Sequence, residues 1–201
     1  MTRNILVVAA HPDDEILGCG GVMARHADMG DNVNIVIVAE GATSRGLPDA
    51  GSEVEALRDS GRQAAALIGA SEPKFLGLPD NRLDELPLLD VIRPIEQIVE
   101  ELGPSVVYTH HGGDLNIDHR MVHEAVLTAC RPLPGASVRT ICAFETISST
   151  EWGGPGTGPG FSPNYYVEIT DQIDRKLEAL KCYAIEMRDF PHPRSYDAVR
   201  M

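Results

Sequence analysis

The sequence predicts an open α/β fold, a mostly parallel sheet with helices on both faces, in a single domain over residues 1–201. Three observations predict it. Apolar, β-branched runs alternate with segments of helical spacing along the whole chain, the pattern of βα units. Those runs are continuously apolar, as strands covered on both faces are. The 201 residues, 43% of them hydrophobic, also suffice for one real core. No internal repeat or linker divides the chain.

The elements follow in order. Residues 4–10, NILVVAA, read as a central strand. DEILGCGGVMARHADMG (14–30) has helical spacing, with Ile16, Leu17, Val22 and Met23 on one stripe and Gly30 as the stop. Its glycines 18, 20 and 21 weaken the helix and suit close packing on the sheet. NVNIVIVAE (32–40) is a second strand, and GATSRGLPDAG (41–51) a loop. SEVEALRDSGRQAAALIGA (52–70) is a helix with Ser52 as cap and Glu55 completing a capping box.

PKFLGLP is a short strand, and LPLLDVIRPIEQIVEEL a helix with a kink expected near Pro94. SVVYTH (105–110), HRMVHEAVLTAC (119–130) and VRTICAFE (138–145) supply strand, helix and strand. SSTEWGGPGTGPGFSPN is too rich in Gly and Pro for regular structure, and long loops of this kind are often functional. YYVEIT and DQIDRKLEALKCYAIEM read as a last strand and helix.

A formal charge of −13 disfavours phosphate backbones, so no nucleic-acid partner is expected. The four cysteines are scattered without CxxC spacing and read as reduced thiols rather than a disulfide framework. No apolar stretch approaches a membrane span, and no cleavable signal is visible. A soluble cytoplasmic protein is the expectation. Homo-oligomerisation is left open.

Two polar clusters stand out, at 11–15 (HPDDE) and at 109–126 (THHGGDLNIDHRMVHEAV). Each follows a strand, so each belongs at the carboxyl rim of the sheet, where ligands bind in such folds. Taken alone, HPDDE also fits a helix start: Pro suits the first turn and acidic groups complement the dipole. The second cluster holds Asp114, Asn116, Asp118, His110, His111 and His119, more than capping needs. Histidines and carboxylates from two strand ends point to a divalent metal with an open coordination position. Zinc suits the donors best, and iron or manganese fits them too.

AHPDDE, followed downstream by DxxH leading into a helix, resembles the PIG-L/LmbE-like zinc-dependent de-N-acetylases. The resemblance covers nearly the whole chain, since that family's fold is also Rossmann-like. It implies a hydrolase that removes acetyl from an N-acetylated sugar, a GlcNAc-type glycoconjugate or metabolite, through metal-activated water. It implies His11, Asp14 and His119 as metal ligands and Asp13 as general base. Asp118 is implied as a group that orients a histidine. RDFPHPRS (188–195) resembles a late element of one bacterial branch that continues further, whereas this sequence stops at Met201.

Many members read HPDH where this chain reads NIDH, so Asn116 stands where a histidine is credited with stabilising the oxyanion or protonating the amine. Asn donates a hydrogen bond but delivers no proton. His192, flanked by Pro191 and Pro193, is the favoured acid, with His110, His111 or Asp13 as alternatives. Glu15 reads either as a group supporting the metal ligands or as an acidic first-turn residue, the latter being favoured. Arg45, Arg82 and Arg194 are candidates to contact sugar hydroxyls or a phosphate, and Trp152 to stack on a sugar face. Each also reads as an ordinary solvated loop residue. Two rivals remain: a metal-dependent amidase on a non-sugar amide or thiol conjugate, and a non-catalytic sugar- or nucleotide-binding module. Against the second, GCGG lies inside a helix rather than forming GxGxxG at the turn.

Overall fold

The computed structural model describes residues 2–45, 50–154 and 156–201. Five parallel strands form one sheet: β1 (Asn4–Ala9), β2 (Asn32–Ala39), β3 (Lys74–Leu78), β4 (Val106–His110) and β5 (Thr140–Phe144). Their order is β3-β2-β1-β4-β5. Six α-helices are described: α1 (Asp14–Asp28), α2 (Ala50–Ile68), α3 (Leu88–Leu102), α4 (Ile117–Ala129), α5 (Ile173–Lys181) and α6 (Tyr196–Arg200).

β1 lies at the centre because almost every side chain on it is apolar. Ile5 to Ala10 are fully buried and divide between the two faces. Ile5 and Val7 pack with Ile16, Met23, Leu57 and Leu180, under α1, α2 and α5. Leu6 and Val8 pack with Val91, Ile95, Val122 and Val126, under α3 and α4. Full burial of such a side chain is worth about 1.5–3 kcal/mol, and a slip of one residue would exchange the two faces. The pairing Val7↔Ile35 and Val7↔Tyr108 is therefore fixed from both sides.

Strand order reverses between β1 and β4, which opens a crevice at their carboxyl ends. Both polar clusters empty into it. Asn116 caps α4, its Oδ1 accepting from Asp118 N at 2.8 Å, so the helix starts two residues before the expected position and carries His119 in its first turn. Gly30, at φ 79°, follows Met29 at the end of α1 as a left-handed stop.

Three expectations are corrected. α2 already runs at Ala50, so Ser52 is inside the helix and does not cap it; the loop expected over 41–51 includes residues 46–49, which lie outside the described part. YYVEIT is not a strand. Its residues cross α1 instead, with Ile169 packed where Gly21 leaves room and the Glu168 carbonyl accepting from Arg25. The last long helix stops at Lys181, and a 3-10 turn at Ala184–Glu186 follows. Pro94 does lie inside α3. The four cysteines are free. Among the described residues no helix is long and apolar enough to cross a membrane.

Candidate active site

The crevice is a cleft of about 320 Å³. Its floor is the turn from β1 into α1. The carboxylate of Asp14 accepts from its neighbour's backbone, His11 N to Oδ2 at 3.0 Å. The same oxygen lies 3.2 Å from His11 Nδ1 and 3.1 Å from His119 Nε2. One donor atom from each of the three residues lies within 4.8 Å of the others. Two imidazoles and one carboxylate thus converge on one point, and all three residues line the cleft.

A ring of carboxylates holds the imidazoles from behind. Nε2 of His11 is 3.0 Å from Asp118 Oδ2 and 3.2 Å from Asp80 Oδ1. Asp118 is saturated besides, taking Asn81 N at 2.7 Å and Leu83 N at 3.0 Å. Asp80 accepts from both the backbone and the hydroxyl of Ser44. His11, Asp80 and Asp118 also cluster closely enough for an ion. The oxygens of both aspartates are thus shared between His11 and neighbouring donors. Nδ1 of His119 lies 3.1 Å from Asp114 Oδ1, off the line of a good hydrogen bond. Asp114 is fixed by the hydroxyls of Ser149 and Thr150.

The electrostatics fit a cation. Burial works against charge on His11, but hydrogen bonds to Asp118, Asp14 and Asp80 outweigh it and hold its pKa well above the ordinary value. His119 is raised in the same sense, burial being overcome by Asp14 and Asp114. Burial would raise the Asp14 carboxyl, yet His119 and His11 hold it well below the usual range. The same carboxylates that favour protons on the two imidazoles favour a divalent ion, which displaces those protons on binding. Three protein donors of this type with one side facing the cleft suit a catalytic zinc.

Asp13 points into the same cleft. Its backbone is at φ 107° and ψ −33°, a conformation costing about 1–3 kcal/mol for a residue with a Cβ. Burial raises its carboxyl well above the ordinary value; the Arg194 guanidinium pulls the other way, and Asp14, Glu186 and Glu15 add to the rise. Arg194 lines the cleft but is engaged, with Nη1 2.8 Å from Asp13 Oδ2 and Nε on the Ser148 hydroxyl.

The other expected residues divide. Asn116 lines the cleft, with Nδ2 donating to Asn81 Oδ1 at 3.0 Å. Trp152 stands at the rim, half exposed. Arg82 is not among the residues that line the cleft, and Glu85 three residues on binds its guanidinium. The side chain of Arg45 lies outside the described residues. His192 is set apart as well. It does not line the cleft; its ring sits 6.0 Å from that of Trp152, and Nδ1 accepts from Arg194 N. His110 is fully buried. Its Nε2 accepts from Ala10 N at 2.8 Å, and burial beside His119 drives its pKa well below the ordinary value. His111 is turned to the Pro159 carbonyl.

Several site residues escaped sequence reasoning. Asp80 and Asn81 come from the turn after β3, Ser148 and Ser149 from the turn after β5, and Glu186 from the 3-10 turn beyond α5. Only the PDN turn carried a signal, one common to many turns. Glu15 is an acidic first-turn residue as expected, but a fully buried one.

A family model for PIG-L, described as GlcNAc-PI de-N-acetylase, matches residues 6–130. A protein of Escherichia coli K12 named as an uncharacterized deacetylase, YaiS, is 32% identical over 186 residues and 89% of each chain. A Bacillus anthracis protein named as a probable N-acetyl-α-D-glucosaminyl L-malate deacetylase 2 is 28% identical over 188 residues, 90% of this chain and 80% of that one. The solved N,N′-diacetylchitobiose deacetylase of Pyrococcus horikoshii superposes with a TM-score of 0.75 over 93% of this chain and 72% of that one. Its identity is 22%, so that likeness is one of fold.

Proposed function

The chain belongs to the PIG-L family, and from that premise we propose that it is a metal-dependent de-N-acetylase of a small N-acetylated sugar or glycoconjugate. The observation that carries the reading is the meeting of His11, Asp14 and His119 in one cleft beside Asp13. The deacetylase names of the relatives support the reaction class, and the sugar conjugates in those names support the substrate class.

Held by His11, Asp14 and His119, a divalent ion, zinc by the chemistry of its donors, would supply Lewis acidity to water and carbonyl. The remaining steps belong to the chain. Asp13 accepts a proton from the water that attacks the acetamide carbon. Asn116 has one Nδ2 proton committed to Asn81 and offers the other to the carbonyl oxygen as it gains charge. When the C–N bond breaks, the proton held by Asp13 passes to the departing nitrogen, which leaves acetate and a free amine. A carboxyl whose pKa is raised suits a group that must hold a proton for part of the cycle. With His192 outside the cleft and His110 neutral and bonded, Asp13 serves as both base and acid. Asp118 and Asp114 orient the two histidines.

The test is acetate release from a panel of N-acetylated sugars by metal-free, zinc-loaded and iron-loaded protein. Release that needs metal and prefers N-acetylhexosamines supports the reading. Equal cleavage of simple N-acetyl amides favours the non-sugar amidase, and sugar binding with no release under any metal removes the enzyme.

A further inference from the structure

Asp13 must hold an unfavourable backbone conformation to face the cleft, and two buried side chains outside the reaction meet it there. We propose that Glu15 and Tyr183 are positioning residues for Asp13, fixing the backbone geometry that aims its carboxylate at the substrate. The proposal rests on the reading of Asp13 as the proton-transfer group.

Glu15 divides its two oxygens. Oε2 accepts the Asp13 backbone N–H at 3.1 Å, and Oε1 accepts the Tyr183 hydroxyl at 2.7 Å. The Asp13 carbonyl is fixed separately, by Ile16 N at 3.1 Å and Leu17 N at 2.9 Å. Both sides of the strained residue are thereby tied, and Arg194 holds the side chain from the front. Capping α1 does not require this arrangement, since an acidic group in the first turn complements the dipole from solvent. Glu15 is instead fully buried, and both of its oxygens are met by neutral donors. A leucine of similar length would bury there at less cost but would leave the Asp13 N–H without this acceptor.

Tyr183 makes the tie a long-range one. It is fully buried in the turn after α5, 168 positions from Glu15. α2 leaves space for it at Gly61, where a Cβ would come within 3.0 Å of the hydroxyl. The aim of Asp13 thus depends on the docking of a late helix against the first βα turn.

Three variants test this: Tyr183→Phe, Glu15→Gln and Glu15→Leu. Acetate release is measured per bound zinc, and crystal structures are determined for each. Tyr183→Phe keeps the ring and loses the hydroxyl. Its kcat should fall about tenfold, with KM within twofold and zinc content unchanged. Glu15→Leu should lose about a hundredfold. Glu15→Gln should recover to within about threefold of wild type, because its Oε1 accepts from Asp13 N while Nε2 donates to the Tyr183 oxygen. In the structures, Asp13 should leave its positive φ and its contact with Arg194 in Glu15→Leu and keep both in Glu15→Gln. Variants that only melt earlier, with kcat per bound zinc unchanged, overturn the proposal. So does an Asp13 that keeps φ near 107° without Glu15. The structural arm decides even if the wild type releases no acetate from any sugar, a result that would sink the proposed activity alone. If Glu15→Leu does not fold, Tyr183→Phe beside Glu15→Gln carries the same comparison.

Discussion

Nη1 of Arg194 lies 2.8 Å from Oδ2 of Asp13, joining the last loop of the chain to its first βα turn across 181 positions. In the proposed mechanism an arginine so engaged would align Asp13 rather than anchor a distant part of the substrate. Its planar fork reaches Asp13 with Nη1 and the Ser148 hydroxyl with Nε together, which a lysine cannot copy. Arg194→Lys should therefore lower kcat about tenfold with KM within threefold. A large rise in KM at constant kcat would instead identify a substrate anchor. Steady-state kinetics on an N-acetylhexosamine substrate distinguish the two.

Asp13→Asn should leave zinc content at the wild-type level, because the proposed ligand atoms belong to His11, Asp14 and His119. Turnover should fall by about 10²–10⁴, the usual contribution of a positioned acid–base group. The amide cannot accept a proton at any working pH, so raising the pH should not restore the rate. Metal analysis and initial rates on one preparation check both halves. Full activity in this variant would move the proton-transfer role elsewhere in the cleft.

Asp114 never reaches the cleft surface, yet it stands against Nδ1 of His119 and is locked by two hydroxyls. Replacing it with Ala frees the imidazole to turn and strands Ser149 and Thr150. Zinc affinity should weaken about 10–100-fold, as is usual when a partner behind a metal-binding histidine is removed. Competition against a fluorescent chelator measures this directly. Unchanged affinity would mean that α4 packing alone orients His119.

What could be read from the sequence follows the range of the interactions. HPDDE and NIDH are legible because each local run concentrates donors at a strand end, and continuous apolar strands bring both ends to one rim. Asp80 is not legible. It looks like any turn aspartate until β3 is laid beside β2 and the turn after it reaches His11. Glu15 fits the pattern of an acidic first turn, and only the docking of Tyr183 reveals its burial. YYVEIT has strong strand propensity, but the sheet already ends at β5 and the segment is drawn over α1 instead. Arg82 and His192 stand outside the cleft lining, each held by a neighbour within three positions, Glu85 or Arg194.

Gly18 tests whether the helix glycines serve packing. A methyl group there would overlap the ring of Phe144 on β5. That ring is backed by His110, with centroids 4.7 Å apart, and His110 in turn stacks on His119 at 3.9 Å. Helix propensity alone would make Gly18→Ala stabilising by about 1 kcal/mol. Overpacking costs about 1–3 kcal/mol, so the net change should be destabilising. Urea unfolding gives the sign. A stabilised variant would show that β5 yields easily and that the stack behind the site is looser than described.

A pH-dependent part of the stability should come from the opposite end of the sheet. Asp31 accepts from the Arg3 backbone and guanidinium and pairs with His26 Nδ1 at 2.8 Å, clamping the starts of β1 and β2 to the end of α1. Its hydrogen bonds to Arg3 hold its carboxyl at about 2, well below the unfolded value of about 3.9. Between those two values the unfolded chain binds the extra proton. The contribution is therefore complete above about pH 4 and is lost as pH falls toward 2. Undiscounted, a shift of that size corresponds to about 2.6 kcal/mol. The Arg3 side chain is 42% exposed and screened by water, so about 1 kcal/mol is expected. Asp31→Asn should then lie about 1 kcal/mol below wild type in urea unfolding at pH 7. The gap should narrow steadily from pH 4 to pH 3, and it should shrink in 1 M salt at neutral pH, where the Debye length falls to about 3 Å. A gap independent of both pH and salt would mean that the side chain acts through packing and that the clamp carries no charge energy.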